Sequence, residues 1–282
     1  MINITKLLTI LVIMYNSFFT YYAYSKPRLV EYAYNKYSQF GEDGVIEKIF
    51  EIIGTKSKMC VEFGAWDGFY LSNTANLWSK DSEWKGILIE MDYAKFAQLK
   101  TNVKDYNCFP IKAKIGVEPT NLLENILLYN KIGLDVDLLS IDIDSNDYYV
   151  FETLNNLQPR LVVVEYNPSI PVQMDLYAAY GDDNYFGCSV GALVRIGAQK
   201  GYRLVALTQC NAFFVHENDF NKFAEFETSL PLLDVNNNYF YLVTSYDGRF
   251  AVVKNFNHSF YGLTKEKWQG KLLGNFSSFS VN

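Results

Sequence analysis

The stretch that most constrains this chain is an apolar run that ends in an acid and then turns through two glycines, Met59-Cys-Val-Glu-Phe-Gly-Ala-Trp-Asp-Gly68. The apolar half predicts a buried strand, and the glycines predict the tight turn that follows the first parallel strand of nucleotide-binding α/β sheets. Gly64 permits the turn, and Gly68 would let the next helix begin close to a ligand. A dinucleotide fingerprint carries a third glycine and keeps its acid for the following strand. Here Glu62 stands at the tip of the first strand, where it can meet a cationic ligand group.

Short apolar segments alternate with helical segments along most of the chain, which predicts a doubly wound α/β sheet with helices on both faces. The predicted strands are Met59–Phe63, Gly86–Ile89, Cys108–Ala113, Val136–Ile141, Leu161–Glu165, Tyr202–Leu207 and Ala212–Val215. The predicted helices after the first strand are Ser72–Ser79, Tyr93–Asp105, Asn121–Lys131, Asp147–Leu157 and Ser189–Lys200. Only residues 208–211 separate the last two strands, a link too short for a crossover helix, so these strands must pair antiparallel. The sequence therefore predicts a mostly parallel, seven-stranded, Rossmann-like sheet with an antiparallel last strand.

The composition excludes several classes of function. The chain has 282 residues and a net charge of −6, a balance that does not favour polyanions and excludes nucleic acid as a partner. Its only histidines are His216 and His258, so acid–base chemistry must fall to carboxylates, Lys or Tyr. The four cysteines have no CxxC spacing, which predicts buried thiols and no zinc site.

Three segments of the chain differ in character. Residues 1–25 contain the short apolar run Leu7–Tyr15, so we expect either a membrane anchor or a cleaved signal peptide. An anchor would associate with the membrane through residues 7–24 and leave a cytoplasmic body, whereas cleavage would produce a secreted protein. Residues 36–216 are predicted to form the α/β domain. Residues 217–282 are predicted to be a C-terminal extension with a β-hairpin.

Five segments in this order resemble the FkbM-like class I methyltransferases: Tyr37–Gly44, Val61–Gly68, Leu139–Asp147, Val164–Pro168 and Asn211–Val215. The resemblance covers residues 36–216 and implies a methyltransferase-like domain, whose sheet has the arrangement predicted above. It also implies methyl transfer from S-adenosylmethionine, usually to oxygen on sugars or other small metabolites. The chain departs from the family pattern at Trp66, where Asn is usual, and at Asp142-Ile-Asp-Ser145, where Asp-x-Glu-Gly is usual. These departures bear on the methyl acceptor more than on the cofactor.

The predicted cofactor contacts lie after the first two strands. Glu62 would accept a hydrogen bond from the amino group of S-adenosylmethionine, and Gly64 and Gly68 would shape the loop around it. The alternative for Glu62 is a solvated acid at the strand end. Asp67 would either hold the methionine part of the cofactor or cap the next helix. Glu90 ends the second strand, where an acid meets ribose hydroxyls in nucleotide-binding sheets.

A second set of polar residues follows the fourth and fifth strands. Strand alternation would send Asp142 and Asp144 to the same side, and Glu165 and Asn167 end the neighbouring strand. Neighbouring carboxylates raise one another's pKa unless a cation lies between them, and four oxygen ligands would suit Mg²⁺ or a similar divalent cation. One alternative is a metal-free cleft, where Glu165 and Asn167 bind substrate hydroxyls and Asp144 or Asp142 acts as the catalytic base. The other alternative is a purely structural role.

These residues predict an S-adenosylmethionine-dependent O-methyltransferase that acts on a small-molecule or glycan acceptor. Asp144 is the first candidate for the base that takes the proton of the attacking hydroxyl. The alternative function is a non-catalytic binding protein with a methyltransferase fold, in a glycan or surface pathway. The departures at Trp66 and Ser145 and the N-terminal apolar segment favour that alternative. A third hypothesis, a nicotinamide-dependent enzyme, is disfavoured by the missing third glycine and by Glu62.

Overall fold

The computed structural model describes residues 26–181, 185–233, 240–244, 249–254 and 271–275. Residues 1–25, to which the anchor and signal-peptide predictions refer, lie outside the described residues. Among the helices that are described, none is long and apolar enough to cross a membrane.

Seven strands form one sheet in the order β3-β2-β1-β4-β5-β7-β6. The strands are β1 (Met59–Phe63), β2 (Lys85–Glu90), β3 (Cys108–Lys112), β4 (Leu138–Ile141), β5 (Leu161–Glu165), β6 (Tyr202–Leu207) and β7 (Asn211–His216). Strands β1 to β5 pair in parallel, and β7 runs antiparallel to both β5 and β6. The predicted fold class, a mostly parallel Rossmann-like sheet with an antiparallel last strand, is confirmed.

Helices cover both faces of this sheet. They are α1 (Glu42–Ile53), α2 (Ala75–Lys80), α3 (Tyr93–Asn102), α4 (Leu123–Tyr129), α5 (Asp147–Thr153) and α6 (Val190–Gln199). Short α-helices α7 (Glu217–Phe220) and α8 (Leu230–Leu233) follow the sheet, and 3₁₀ turns occupy Leu29–Tyr32 and Asn221–Phe223. The strands β8 (Phe240–Thr244), β9 (Arg249–Lys254) and β10 (Lys271–Asn275) form a separate antiparallel sheet in the order β10-β9-β8.

The alternation of side chains along each strand divides the core into two clusters. Val61 and Phe63 of β1 pack with apolar residues of α4, α5 and α6 on one face. Cys60 packs on the other face with apolar residues of α1, α2 and α3. Because successive side chains of a strand point to opposite faces, Glu62 lies on the same side as Cys60, under α2.

Several element boundaries differ from the sequence prediction, and the start of one helix bears on the site. Helix α2 begins at Ala75 and not at Ser72, so residues 72–74 remain a loop above the end of β1. Strand β4 ends at Ile141, as predicted, so Asp142 and Asp144 lie in the loop beyond it, where strand alternation does not apply. The position of these two acids therefore depends on loop conformation and not on strand alternation.

Candidate functional site

A cavity of about 1000 Å³ lies beyond the carboxyl ends of β1, β2, β4 and β5. Chain connections leave β1 towards β2 on one side and enter β4 on the other, so the cavity lies at the point where the strand order reverses. Open α/β sheets bind their ligands at this switch point. Carboxylates outnumber lysines in the lining by six to two: Glu62, Glu90, Asp142, Asp144, Asp147 and Glu165 against Lys95 and Lys114. This balance suits a ligand that carries positive charge.

Gly64 brings the first loop against the end of β4. Its φ of +72° lies in the left-handed region, and a Cβ at this position would come within 2.2 Å of the Asp142 carbonyl oxygen. Gly68, at φ +91°, does not line the cavity, because a Cβ there would meet the side chains of Leu99 and Val103. Gly64 therefore shapes the cavity wall, whereas Gly68 allows α3 to pack closely beneath the loop.

Glu62 lines the cavity and is almost fully buried. Its Oε2 accepts hydrogen bonds from the Ser72 hydroxyl at 2.6 Å and the Thr74 hydroxyl at 2.7 Å, and its Oε1 accepts one from the Asn73 N–H at 2.8 Å. Burial raises the pKa of Glu62, although these hydrogen bonds oppose the rise. Glu62 is therefore buried, and the alternative prediction of a solvated acid at the strand end is wrong. Because a carboxylate oxygen can accept two hydrogen bonds, Oε1 keeps one acceptor position for a ligand.

Glu90 at the end of β2 also lines the cavity and holds a neighbouring loop. Its Oε2 accepts from the Trp66 N–H at 2.9 Å, and its Oε1 accepts from the Asp92 N–H at 2.7 Å. One acceptor position on each oxygen is left for a ligand. Glu90, which is predicted to bind ribose hydroxyls, thus also connects the loop after β1 to the end of β2.

Asp67 lies outside the cavity lining. Its Oδ1 accepts hydrogen bonds from the N–H groups of Phe69 and Tyr70, at 2.9 and 2.8 Å. This is the turn-forming geometry of an Asp that caps its own loop. Asp67 therefore closes a turn in the loop and does not cap the next helix, which begins at Ala75, and its side chain is not among the residues that line the cavity.

Three carboxylates meet at the other end of the cavity, beyond β4 and β5. Each of Asp142, Asp144 and Glu165 offers an oxygen that lies within 4.8 Å of the other two. Burial, followed by repulsion from Asp147 and Asp144, raises the pKa of Asp142 to about 8. Burial and the charge of Asp142 raise the pKa of Glu165 well above its ordinary value, and the two carboxyl groups hydrogen-bond to each other. Burial and mutual repulsion therefore favour the protonated forms of Asp142 and Glu165.

Asp144 is the exposed member of this acid cluster, and no hydrogen bond to its carboxylate is present among the described residues. Its φ of +62° is left-handed, which is uncommon for a residue other than glycine. Asp147 supports this turn, because its carboxylate accepts from the Ile143 N–H at 2.8 Å and the Ser145 N–H at 3.1 Å. Burial also raises the pKa of Asp147 to about 6. A role for Asp147 in the site was not predicted from the sequence. Its position as the first residue of α5 is nevertheless typical of an acid that stabilises a helix start.

Asn167 also lines the cavity, but its side chain is engaged by hydrogen bonds to neighbouring loop residues. Its Oδ1 accepts from the Ser169 N–H at 2.9 Å and the Ser169 hydroxyl at 2.6 Å, and its amide donates to the Phe186 carbonyl oxygen at 3.0 Å. The predicted set of four oxygen ligands is thus reduced to three. Carboxylate oxygens remain a suitable donor set for a hard divalent cation, and a shared proton is the other way to reduce their repulsion.

Comparisons with known proteins add the following. No family model and no curated protein matches the chain. Among solved structures it is similar to an S-adenosylmethionine-dependent methyltransferase from Clostridium acetobutylicum, with 11% identity, a TM-score of 0.42 and coverage of 62% of this chain and 90% of that one. A SAM-dependent methyltransferase from Aquifex aeolicus gives 13% identity, a TM-score of 0.35 and coverages of 62% and 88%. The N-terminal domain of EvdMO1 with SAH bound gives 10% identity, a TM-score of 0.39 and coverage of 62% of this chain and 80% of that one. At such low identities and TM-scores we base no functional conclusion on the similarity.

Proposed function

We propose that the protein is an S-adenosylmethionine-dependent O-methyltransferase that acts on a small-molecule or sugar hydroxyl. The observation that carries the proposal is the cavity at the switch point of the sheet, with an acid at the tips of both β1 and β2 and the Gly64 backbone between them. A Rossmann-like sheet binds a nucleoside ligand at this place. The excess of carboxylates over lysines in the lining favours a ligand with cationic groups.

The cofactor would occupy the β1–β2 end of the cavity. Glu62 has one acceptor position left for the amino group of the ligand, and Glu90 has one on each oxygen for ribose hydroxyls. Gly64 lets the backbone approach the ligand without a side chain in between. Because the loops around both acids are already fixed by hydrogen bonds, little ordering is required on binding.

The acceptor would occupy the β4–β5 end, beside Asp142, Asp144 and Glu165. When bound, S-adenosylmethionine supplies a reactive methyl group on a positively charged sulfur. Asp144 is the proposed base, because it is exposed to the cavity and no described residue donates to its carboxylate. It would take the proton that the acceptor hydroxyl loses as its oxygen bonds to the methyl carbon. Holding the two reactants in line is worth on the order of 7–11 kcal/mol in favourable cases.

The cofactor assignment is tested by calorimetry with S-adenosylhomocysteine. We expect wild type to bind and the double variant Glu62→Gln, Glu90→Gln to bind roughly a hundredfold more weakly, because two charge-assisted hydrogen bonds are lost. Glu124→Gln is the matched control, since Glu124 holds residues 155–157 by hydrogen bonds in the same way but lies outside the cavity lining. Equal binding by wild type and the double variant would refute the assignment.

The acceptor is sought by incubating the protein with labelled S-adenosylmethionine and a panel of sugars and small hydroxylated metabolites. With an acceptor in hand, Asp144→Asn should lower kcat by a factor on the order of 10²–10⁴ and leave affinity for S-adenosylhomocysteine unchanged. A loss in affinity equal to the loss in kcat would contradict the role of Asp144 as base.

One observation favours the alternative, a non-catalytic binding protein with the same fold. Glu62 and Glu90 already accept five hydrogen bonds from the chain itself, so both acids have structural work that needs no cofactor. A protein that binds S-adenosylhomocysteine but methylates nothing in a broad panel would support this alternative over the enzyme.

A further inference from the structure

Trp66 occupies a conformation that bulky residues rarely adopt. Its φ of +47° lies in the left-handed region, where only glycine is at ease and Asn is better tolerated than an aromatic residue. Its indole is 42% exposed and lines the cavity. A strained backbone around an exposed aromatic residue costs stability without a core contact in return, and such strain clusters at ligand-binding sites. The strained backbone and exposed indole of Trp66 therefore indicate a role in ligand binding.

The strained loop is held from both sides. The Trp66 N–H donates to Glu90 Oε2 at 2.9 Å, and the Gly68 N–H donates to the Ala65 carbonyl oxygen at 2.7 Å. On the indole, the Tyr70 ring packs edge-on at 5.2 Å, and the Lys95 ammonium lies 3.6 Å from the ring centroid. The ring is thus fixed in the cavity wall before any ligand arrives, which reduces the entropy lost on binding.

Lys95 contributes a second open group at the same place. It is half-buried and lines the cavity, and in the described part of the chain its ammonium has no hydrogen-bond or ion-pair partner. An ammonium over an indole is stabilised by the ring quadrupole and keeps its three donors for another partner. Trp66 and Lys95 together therefore present a flat apolar face and a cationic donor.

The position of this pair identifies the part of the ligand it meets. Trp66 is tied to Glu90 at the tip of β2, and Lys95 belongs to α3, which follows β2. Strand β2 lies on the opposite side of β1 from β4, so the pair is at the far end of the cavity from the three carboxylates. An acid for ribose hydroxyls, a flat apolar ring and a donor are what a nucleoside requires.

We propose that Trp66 and Lys95 form a clamp that binds the nucleoside half of the ligand and determines selectivity for it, an inference that rests on the proposed function. The left-handed conformation is maintained to keep the indole facing the nucleoside.

The test is calorimetry on the full chain with S-adenosylhomocysteine and, separately, with adenosine. Trp66→Asn should lower the affinity for both at least about tenfold, since a stacked aromatic contact is lost, while its melting temperature stays the same or rises. Trp66→Phe should retain most of the affinity, and Lys95→Gln should lose part of it. The control Trp84→Leu removes an indole that is buried against Phe50, so it should lower the melting temperature and leave the affinity unchanged.

Fluorescence supplies a second readout. Ligand binding should protect wild type from acrylamide quenching by more than it protects Trp66→Phe, because Trp66 is exposed whereas Trp78 and Trp84, the other tryptophans among the described residues, are buried. If wild type binds S-adenosylhomocysteine and Trp66→Asn binds it within twofold, the clamp is refuted and the proposed function stands. If wild type binds neither S-adenosylhomocysteine nor adenosine, the proposed function fails and the clamp fails with it.

Discussion

The two ends of the cavity use carboxylates in opposite ways. At the β1–β2 end, Glu62 and Glu90 accept hydrogen bonds from hydroxyl and N–H groups, and each acid holds a loop. At the β4–β5 end, Asp142, Asp144 and Glu165 face one another, and the raised pKa values of Asp142 and Glu165 record their burial and mutual repulsion. Acids of the first kind stabilise the fold and shape a binding site. Acids of the second kind cost stability, and such costs are tolerated where a proton, a cation or a substrate must be bound.

The largest expected effect comes from Gly64, where the two ends touch. Gly64→Val places a side chain 2.2 Å from the Asp142 carbonyl oxygen and forces a β-branched residue to φ +72°. We expect a loss of on the order of 4 kcal/mol in the free energy of unfolding and no measurable binding of S-adenosylhomocysteine. Urea denaturation and calorimetry measure the two quantities. Gly133→Ala is the control, because a Cβ there would meet nothing within 4 Å.

Removal of the Glu62 carboxylate tests the structural role of the hydrogen-bonded acids at the β1–β2 end of the cavity. Glu62→Ala leaves the donors of Ser72, Asn73 and Thr74 without their partner in a buried place, so we expect a loss of roughly 3 kcal/mol in the free energy of unfolding. Glu62→Gln should retain most of the stability, since the hydroxyls of Ser72 and Thr74 can turn to accept from the amide. Equal destabilisation by both substitutions, measured by urea denaturation, would show that the charge and not the hydrogen bonding fixes the loop.

The buried acids at the β4–β5 end of the cavity should make the protein less stable as the pH rises. The folded-state pKa of Asp142 is about 8 and that of Asp147 about 6, both above the ordinary value for Asp. Between about pH 4 and pH 8 the folded state therefore binds more protons than the unfolded state, and stability falls as these protons are lost. We expect a loss on the order of 2 kcal/mol between pH 6.5 and pH 8, measured by urea denaturation. Asp142→Asn should flatten this dependence and stabilise the protein at pH 8.

The same measurement separates a proton from a metal ion at the three carboxylates. A bound divalent cation would lower their pKa values and raise the melting temperature at pH 8. We expect the proton, because the Asn167 oxygen that would complete the ligand set accepts from Ser169 instead. A clear rise in melting temperature with about 1 mM Mg²⁺ or Mn²⁺, absent in Asp142→Asn, would contradict this expectation.

The sheet could be predicted from the sequence, and the reason is visible in particular segments. Strands β1 and β5 are short apolar runs buried on both faces, and the three residues between β6 and β7 leave room only for an antiparallel pair. These features are local, so a pattern along the chain is enough to find them.

The use of the site residues could be predicted only in part. Acids at strand ends indicate the cavity, but whether Glu62 meets a ligand or a loop depends on Ser72 and Thr74, which belong to a segment that the sequence assigned to a helix. The meeting of Asp142, Asp144 and Glu165 depends on the left-handed turn at Asp144, a conformation that Asp tolerates but seldom adopts, so the sequence alone does not predict it. The strained Trp66 is missed for the same reason, because backbone strain is set by tertiary contacts.

The smallest effect should follow from Asp67, which lies between Glu62 and Glu90 in sequence but does not line the cavity. Its carboxylate only closes the turn at Phe69 and Tyr70, at a partly exposed position. Asp67→Ala should therefore lower the free energy of unfolding by about 0.5–1 kcal/mol, as the loss of a capping side chain does, and leave the affinity for S-adenosylhomocysteine unchanged. Asp67→Asn should restore most of the stability, because an Asn side chain forms the same turn. A loss of affinity in Asp67→Asn at full stability would mean that the carboxylate reaches the ligand, and the boundary drawn here between loop-holding and ligand-binding acids would have to move.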